Sequence, residues 1–502
     1  MAVTKRKRAW QRATSLGVTL GAMPALVACA SPAMAQVPAP PSATTPTEQA
    51  LDTALDAYLR AATRNEQFSG TVLLARGGKP VFVRSYGMAN YELGVPNGAD
   101  TVYRLASVTK QFTALAVMQL QEQGKLQVDD PICRYLTDCP AVWQPITIRQ
   151  LLNHTSGIPN FSSLPEWDEM LSRRDYKPIE LVALFRDLPL KFAPGEKYDY
   201  SNSGYHLLGL IIERASGMGW GEYVKQRILV PLGMTHSGDD NTRALIPHRA
   251  SGYYSLGTTF INAPIISRTV GYAAGGLYST VGDLLLWDRA LVPGKLVGQA
   301  SLDAMFTPAK SNYGFGWRIA ERFGRREMDH SGSDNGFSTY IIRFPVDGLT
   351  AIVLSNSDRA SAGKVGNAMA AIAFGQPVTL PVAQLREILW DRIDRGGVAD
   401  AIAHYGELKR SGAKLDFSDD ALVGLGYDLY EAHRYTDAKA IFRFNLTVYP
   451  KSAYSHDGLA DIAVAEGDPK QAITLFRQSL ALDPTNTYAS DALKRLQAAH
   501  RL

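Results

Sequence analysis

Cysteine is scarce in this chain, with three residues in 502. Cys29 lies in the N-terminal segment, which leaves Cys133 and Cys139 for the rest of the chain. Neither has the neighbouring residues that a metal site or a catalytic thiol requires, so the sequence predicts no metal and no cofactor. In an oxidising compartment the pair forms a short disulfide, and the alternative is two unpaired, partly buried thiols.

A strong charge of either sign is also missing from most of the chain. The formal net charge is +4, and five Lys and Arg residues before residue 36, with no acid among them, contribute +5. The remainder therefore carries 4 − 5 = −1. This balance offers no basic face for nucleic acid. The length alone indicates two to four domains.

No apolar run after residue 35 is long enough to span a bilayer. The leader has a basic start, an apolar run over Ser15–Ala30 and the small residues Ala33-Met34-Ala35. This pattern predicts a signal peptide over residues 1–35, cleaved before Gln36. A competing interpretation is a bacterial lipobox ending at Cys29, which would make that residue a lipid anchor. Either interpretation predicts export, to the periplasm or the cell envelope.

Strand signals open and close residues 47–376, with a mainly helical stretch between them. Residues 36–46, rich in Pro, Ala, Ser and Thr, predict a flexible segment before this part. Helices are predicted over about Thr47–Ala62 and Thr147–Leu152. The strand signals are Thr71–Leu74, Val81–Val83 with a Gly77–Pro80 turn between them, Tyr313–Trp317, Ser338–Phe344 and Leu349–Ser355. The order predicts an α+β domain, with one antiparallel sheet built from both chain ends, flanked by helices and a helical subdomain.

A linker at 377–383 is followed by a helical part, residues 384–502, that repeats with a period of 34. The matched pairs are Leu425/Leu459, Ala438/Ala472, Phe442/Phe476 and Pro450/Pro484. This is the period of tetratricopeptide repeats, so the sequence predicts an all-α repeat domain. Such repeats usually bind a peptide or protein partner. Alternatively, they brace the preceding domain or a dimer.

A Ser-x-x-Lys motif at Ser107-Val108-Thr109-Lys110 is the main candidate for chemistry. On a helix residues three apart share a face, so the lysine can activate the serine as a nucleophile if its pKa is lowered. The apolar run after it predicts a buried helix that starts at Ser107. The motif recurs at Ser361 and Ser411, where glycine between Ser and Lys weakens a helix.

Two further triplets follow in the chain, Tyr200-Ser201-Asn202 and His330-Ser331-Gly332. With Ser107 and Lys110, their order resembles that of the serine β-lactamase and penicillin-binding-protein-like family, in its class C and D-alanyl-D-alanine carboxypeptidase branch. Four other stretches resemble family signatures: residues 105–113, 151–159, 231–234 and 274–280. The resemblance covers about residues 50–375 and implies a β-lactamase/transpeptidase-like fold.

The resemblance implies an acyl-enzyme mechanism. Ser107 is the nucleophile, and Lys110 and Tyr200 share the work of the general base. Asn202 holds the substrate's amide carbonyl. The backbone N–H groups of Ser107 and Ser333 form the oxyanion hole, beside Gly332. The alternatives are a core aromatic at Tyr200 and a turn residue at Asn202.

His330 departs from the lysine that many members of this family carry at that position. A lysine supplies a fixed cation for a substrate carboxylate, whereas a histidine is largely neutral at pH 7. We expect His330 to line the pocket, with a structural histidine at the end of a strand as the alternative. Recognition of carboxylates, and so of penicillins, is therefore the open point of the resemblance.

The resulting hypothesis is an exported serine hydrolase acting on a D-amino-acid peptide, a β-lactam or an ester. Its substrate is a small molecule or a peptide, and the repeats offer a surface for a protein partner. The alternative is a scaffold protein with a catalytically weak pocket, whose repeats recruit a partner in the envelope. The intact Ser107, Lys110, Tyr200 and Asn202 argue against that alternative.

Overall fold

The computed structural model describes residues 46–66, 68–167, 170–240, 243–359 and 361–499. The predicted signal peptide 1–35, the lipobox at Cys29 and the flexible segment up to residue 45 lie outside these ranges. The described residues divide into two compact units. One comprises Thr47–Ala373 and Pro377–Asp391, and the other comprises Phe374–Gln376 and the residues from Arg392 onward.

The boundary between the two units differs from the predicted one, which placed a linker at 377–383 and the start of the repeat part at residue 384. Residues 377–391 belong to the first unit because they are bonded to it. Asn65 donates to the carbonyl of Pro381 at 2.7 Å, and Arg359 pairs with Glu387 at 3.1 Å. In the structure, the segment predicted as a linker is therefore bonded to the first unit.

The centre of the first unit is a six-stranded antiparallel sheet, whose strands lie in the spatial order 318–322, 325–334, 337–344, 349–355, 70–76 and 79–86. The strand Gly70–Arg76 pairs with Leu349–Ser355, so the two ends of the domain meet in one sheet, as predicted. The strands are β1 Gly70–Arg76, β2 Lys79–Tyr86, β3 Met88–Asn90, β4 Val95–Pro96, β5 Tyr103–Arg104, β6 Gly238–Asp239, β7 Tyr253–Leu256, β8 Thr259–Asn262, β9 Leu277–Ser279, β10 Arg318–Arg322, β11 Arg325–Asp334, β12 Phe337–Phe344 and β13 Leu349–Ser355.

The predicted strand over Tyr313–Trp317 is wrong. This stretch is a turn before β10, in which Gly314 N–H donates to the carbonyl of Trp317 at 2.8 Å. Gly316 has a φ of +77°, and a Cβ there would lie 2.7 Å from the carbonyl oxygen of Lys110. The close approach to the helix of Lys110 therefore requires a glycine at this position.

Helices cover the sheet and form the subdomain between β5 and β10, which agrees with the predicted α+β class. Those of the first unit are α1 Glu48–Glu66, α2 Thr109–Glu122, α3 Ile148–Leu152, α4 Pro178–Val182, α5 Asn202–Ser216, α6 Trp220–Val224, α7 Val230–Leu232, α8 Tyr272–Gly275, α9 Val281–Ala290, α10 Gln299–Met305 and α11 Ala362–Ala373. Among the described residues, no helix combines the length and the apolarity needed to cross a membrane.

Helix α2 is buried along most of its length, from Thr109 to Leu120. Several of its buried polar side chains make hydrogen bonds inside the core, including Thr113 to the carbonyl of Ala273 at 2.7 Å. Trp287 donates to the side-chain oxygen of Gln111 at 2.9 Å and stacks on Phe112 with the ring centroids 4.0 Å apart. These contacts fix the helix that follows Ser107.

The second unit is helical, and its helix starts repeat along the chain. The helices are α12 Leu385–Arg410, α13 Asp419–Glu431, α14 Tyr435–Val448, α15 Ala453–Ala465, α16 Pro469–Leu482 and α17 Thr487–Ala499. α12 starts in the first unit and is interrupted at Gly397, whose φ is +79°. The starts of α13, α15 and α17 lie at 419, 453 and 487, so each step equals the 34-residue period read from the sequence.

Candidate active site

Ser107 lies in a short 3₁₀ turn, Ala106–Val108, and the α-helix begins two residues later at Thr109. The predicted helix start at Ser107 is therefore two residues early. Ala106 has a φ of +48°, a left-handed conformation that costs a non-glycine residue about 1–3 kcal/mol. The turn is held from both sides of Leu105: its N–H donates to the carbonyl of Leu277, and its carbonyl accepts from Thr339 Oγ1, each at 2.8 Å.

Lys110 lies one turn after the serine and is completely buried. Its Nζ is 3.1 Å from Ser107 Oγ, 2.8 Å from Asn202 Oδ1 and 2.7 Å from the carbonyl oxygen of Ala274. Burial holds the pKa of the Lys110 amine well below its usual range. The site thus presents a serine hydroxyl to an amine that is easily deprotonated.

Tyr200 forms one wall beside this amine. Lys110 Nζ lies 4.8 Å from the centroid of the Tyr200 ring and 5.5 Å from that of Tyr205. The aromatic faces exclude water from the lysine while leaving the serine partly exposed.

Asn202 is the first residue of α5, which explains how the tyrosine triplet reaches the site. Its backbone N–H donates to Asn160 Oδ1 at 3.1 Å, and its side-chain amide donates to Ser162 Oγ at 3.0 Å. The amide oxygen accepts from Lys110, so both ends of the Asn202 side chain are fixed. The structure thus places Asn202 at the start of a helix and in contact with Lys110.

His330 lies on β11 and is only 4% exposed. Tyr313 Oη is 2.8 Å from its Nε2, and its Nδ1 is 2.7 Å from the carbonyl oxygen of Ser331. A proton on Nδ1 satisfies both bonds, because the carbonyl can only accept. Burial, with the nearby charge of Lys110, lowers the pKa of His330 to about 3. The imidazole is therefore a neutral part of the wall.

Gly332 brings β11 against the nucleophile. A Cβ at this position would lie 2.2 Å from the carbonyl oxygen of Leu105 and 3.1 Å from Ser107 N, so only glycine fits. The next residue, Ser333, is exposed and pairs with Ser338 on β12. The sequence placed His330-Ser331-Gly332 before the sheet strand at 338, whereas the triplet lies on a strand of its own.

The structure thus gathers the predicted residues around one point. Ser107, Lys110 and Asn202 form a bonded chain, Tyr200 contacts the lysine, and His330 lies 6.4 Å from the Tyr200 ring, centroid to centroid. The other two Ser-x-x-Lys copies do not form sites: Ser361, Lys364, Ser411 and Lys414 are all exposed. Within the described ranges, no group of three His, Cys, Asp or Glu side chains could hold a metal.

His154 is a part of the site to which sequence reasoning gave no role. It is 1% exposed, and its ring centroid lies 4.2 Å from that of Tyr200. Its Nδ1 accepts from the backbone N–H of Ser201 at 3.2 Å. Burial, followed by the charge of Lys110, holds the pKa of His154 well below its usual range. The only signal for it was its place within the stretch 151–159, which resembles a family signature.

Cys133 and Cys139 form a disulfide in the first unit. Of the two alternatives left by the sequence, the structure therefore has the bridged pair.

Comparisons with known proteins agree with this arrangement. Residues 55–375 match the family model described as Beta-lactamase. The chain is 34% identical over 338 residues to Penicillin-binding protein 4* of Bacillus subtilis (strain 168), a match that covers 63% of this chain and 74% of that protein. It is similar to the crystal structure of a penicillin binding protein from Bacillus halodurans, with 30% identity, 63% and 99% of the two chains covered and a TM-score of 0.57.

A third relative is the D-amino acid amidase from Ochrobactrum anthropi SV3, solved in complex with D-phenylalanine. It shares 25% identity, with 64% of this chain and 98% of that chain covered and a TM-score of 0.56. The predicted β-lactamase/transpeptidase-like fold is confirmed by these neighbours. Since the family model spans well over half of the chain, this protein belongs to the beta-lactamase and penicillin-binding-protein-like family of serine hydrolases.

Proposed function

We propose that this protein is a serine hydrolase that works through an acyl-enzyme on Ser107. The observation that carries the proposal is the 3.1 Å contact between Ser107 Oγ and the buried Nζ of Lys110. The other two contacts of Nζ are to pure acceptors, the oxygens of Asn202 and Ala274. A neutral amine directs its two N–H bonds at these oxygens and keeps its lone pair for the serine proton.

In the first step Ser107 Oγ attacks the substrate carbonyl carbon, and its proton passes to Lys110. Tyr200, in contact with the lysine, relays the proton to the leaving amine or alcohol as the bond to the carbonyl carbon breaks. The acyl group stays on Ser107. A water molecule, deprotonated by the same pair, then releases the acid and regenerates the serine.

The negative charge of the tetrahedral intermediate is stabilised by the backbone N–H groups of Ser107 and Ser333. The close approach of Gly332 to Ser107 supports this assignment, because it brings the two backbones together. Asn202, held at both ends of its side chain, positions the amide carbonyl of the substrate.

The substrate is an amide or peptide of a D-amino acid, a β-lactam or an ester. Similarity to a D-amino acid amidase and to penicillin-binding proteins supports the first two classes. The neutral His330 removes the cation that a lysine would supply, which disfavours substrates recognised through a carboxylate at that position. We therefore rank D-amino-acid amides and short esters ahead of penicillins.

Intact-mass spectrometry and product assays of the mature protein test this proposal. The panel contains a penicillin, a cephalosporin, a D-alanyl-D-alanine peptide, a D-amino-acid amide and a short-chain aryl ester. Wild type and the matched control Ser361→Ala should give a covalent adduct or turnover, and Ser107→Ala should give neither. Turnover that survives in Ser107→Ala, or none with any panel member in wild type, would reject the mechanism and favour the scaffold alternative.

We also propose that the protein is exported, with residues 1–35 as its signal peptide. The disulfide Cys133–Cys139 supports export, because such bridges persist in oxidising compartments. Labelling with a fatty-acid probe in the producing cell separates the two leader interpretations. Label that is lost in Cys29→Ala identifies a lipid anchor, and unlabelled protein beginning at Gln36 identifies simple cleavage.

For the C-terminal unit we propose tetratricopeptide repeats that bind a peptide or protein partner. The repeated helix starts support this, and so do two hydrogen-bonded pairs one period apart: Asn445 with Ser452 at 3.3 Å and Asn486 with Ser479 at 2.9 Å. Each repeat contacts mainly its neighbours. Deleting residues 453–486, one complete period, should therefore leave a folded unit, whereas deleting 453–469 should unfold it. The readout is the helical circular dichroism signal, corrected for the residues deleted. If both variants lose the same additional helical signal, the repeat assignment is contradicted.

A further inference from the structure

A cavity of about 250 Å³ opens at the end of β11, just past the residue to which we assign an oxyanion donor. Three arginines, Arg104, Arg249 and Arg268, line it. Its other walls include Pro264, Ile265 and the ring of Phe337. The cavity therefore combines charged donors with an apolar lining, which is the usual composition of a site for a small organic group.

The positive charges of this cavity exceed the negative ones that contact them. Asp240, itself 2% exposed, pairs with Arg104 at 3.1 Å, with Arg268 at 2.8 Å and with Arg249. Arg104 also pairs with Asp334 at 2.9 Å. Three guanidinium groups thus face two carboxylates, which leaves a formal charge of 3 − 2 = +1.

Two of the arginines keep capacity for a ligand. The side chains of Arg249 and Arg268 are 22% and 31% exposed, and a guanidinium carries five N–H donors. Their bonds to the buried Asp240 fix the guanidinium planes, so little side-chain entropy remains to be lost when a ligand binds. One carboxylate would match the surplus charge and could be bound in a bidentate manner.

The chain path connects this cavity to the nucleophile. Arg104 precedes Ser107 by three residues, and Asp334 follows Ser333 directly on β11. Asn335, which also lines the cavity, is two residues past Ser333, or about 7 Å at the rise of a strand. A substrate that reaches the oxyanion hole can therefore place a group several bonds from its scissile carbonyl into the cavity.

We propose that Arg249 and Arg268 form a subsite for a carboxylate of the substrate, carried several bonds away from the scissile bond. This assignment rests on the proposed hydrolase function. These arginines would bind the anion that the neutral His330 cannot bind. The subsite selects substrates with an acidic side chain or an acidic end group over their uncharged counterparts.

Matched pairs of aryl esters test the subsite, each pair differing only in a terminal carboxylate or carboxamide. One pair carries the group in the acyl part, as the 4-nitrophenyl half-ester of adipic acid and its amide. The other carries it in the leaving group, as the butyrate ester of 4-hydroxyphenylacetic acid and its amide. The two pairs distinguish on which side of the scissile bond the carboxylate lies. The readout is the ratio of kcat/KM for acid over amide.

In wild type we expect a ratio of about ten or more in one of the two pairs, the range of a hydrogen bond to a charged group. Arg268→Gln and Arg249→Gln should each bring that ratio close to one, because each reduces the formal charge to zero. The double variant should favour the amide, and Arg268→Lys should retain most of the preference. The control Arg325→Gln removes an arginine paired with Asp347 at the other end of β11 and should leave the ratio unchanged.

The amide esters separate this proposal from the proposed function. Two results would overturn the subsite alone, provided that turnover of the amides requires Ser107. One is equal kcat/KM for acids and amides in wild type, and the other is a preference for the acids that survives both arginine substitutions. Absence of Ser107-dependent turnover of every ester would overturn the hydrolase function on which the subsite rests. Thermal unfolding of each variant, followed by tryptophan fluorescence, checks that the substitutions leave the fold intact.

Discussion

Tyr313 donates its hydroxyl proton to Nε2 of His330 across 2.8 Å in the buried wall of the site. The other nitrogen of the imidazole is bonded to the carbonyl of Ser331. Both ring nitrogens are thus used within the protein, and the histidine presents no free donor to a carboxylate. On the proposed mechanism, this pair leaves Ser107, Lys110 and Asn202 in contact while the wall offers no cation to a substrate carboxylate.

Replacing Lys110 by Met should reduce acylation at least about 100-fold, because the side chain is of similar length but has no basic nitrogen. The measurement is the rate of adduct formation with the best panel substrate. In wild type this rate should fall on the acid side with an apparent pKa well below that of an ordinary lysine, since burial favours the neutral amine. Lys364→Met, in an exposed Ser-x-x-Lys copy, is the control and should leave the rate unchanged. A Lys110→Met variant that acylates normally would exclude this lysine as the base.

Gly332→Ala should slow acylation about 100-fold, because the added methyl group would lie 2.2 Å from the carbonyl of Leu105 and push the nucleophile turn away from β11. Gly282→Ala is the matched control, since a Cβ there meets only Thr280 Oγ1 at 3.8 Å. That control should keep full activity. Its free energy of unfolding should rise by less than the roughly 1 kcal/mol gained in the middle of a helix, because Gly282 lies in the first turn of α9. Equal rates for the two variants would show that Gly332 does not position Ser107.

Much of this arrangement could be predicted from local sequence. The three-residue spacing of Ser107 and Lys110 places both side chains on one side of a helical turn, within reach of each other. Strands β12 and β13 are rich in aromatic, aliphatic and β-branched residues, and they are confirmed at nearly the predicted bounds. The 34-residue period likewise predicts the spacing of helix starts, because it requires only that each repeat pack like the next.

Strand β11 could not be found in this way, although it carries His330 and Gly332. It lacks an apolar pattern because the carboxylic side chains of Glu327 and Asp329 are buried on it. Arg322 and Arg318, on the neighbouring β10, pair with them at 2.7 Å and 2.5 Å. Cross-strand ion pairs of this kind depend on the register of two strands, which hydrophobic periodicity does not report.

The place of His154 in the site could not be predicted from local sequence either, because it contacts residues almost fifty positions later. His154→Phe keeps a ring beside Tyr200 but leaves the buried N–H of Ser201 without its acceptor. We expect acylation to slow about tenfold, because the segment that carries Tyr200 and Asn202 loses a buried hydrogen bond. His154→Asn keeps a polar acceptor and tolerates the positive φ of 59° at this position, but removes the ring.

The two variants separate the two contacts of His154. Slower acylation in His154→Phe alone assigns the effect to the hydrogen bond. Slower acylation in His154→Asn alone assigns it to the ring contact with Tyr200. The readout is the rate constant of acylation at saturating substrate, with the substrate's apparent binding constant measured in parallel. Unchanged acylation in both variants would reduce His154 to a core histidine.

His330 should make the first unit sensitive to acid. The folded protein holds its pKa at about 3, whereas an unfolded chain binds the proton near pH 6.5. Below pH 6.5 the unfolded state therefore binds one more proton than the folded state. The free energy of unfolding should fall by about 1.4 kcal/mol for each pH unit lost, until pH approaches 3. His330→Gln, which cannot titrate, should reduce the slope by that amount between pH 6 and pH 4.

Tryptophan fluorescence can report this unfolding selectively, because no tryptophan follows Trp390 in the sequence. The measurement is a series of denaturant titrations at fixed pH values, with the free energy plotted against pH. Gly282→Ala serves as the control, since it changes stability without changing the number of bound protons and should shift the curve in parallel. If His330 is buried and neutral in the folded state, only His330→Gln changes the slope of the free energy of unfolding against pH. Parallel curves for wild type and His330→Gln would mean that the imidazole binds its proton at the same pH in the folded and unfolded states, which contradicts the lowered pKa.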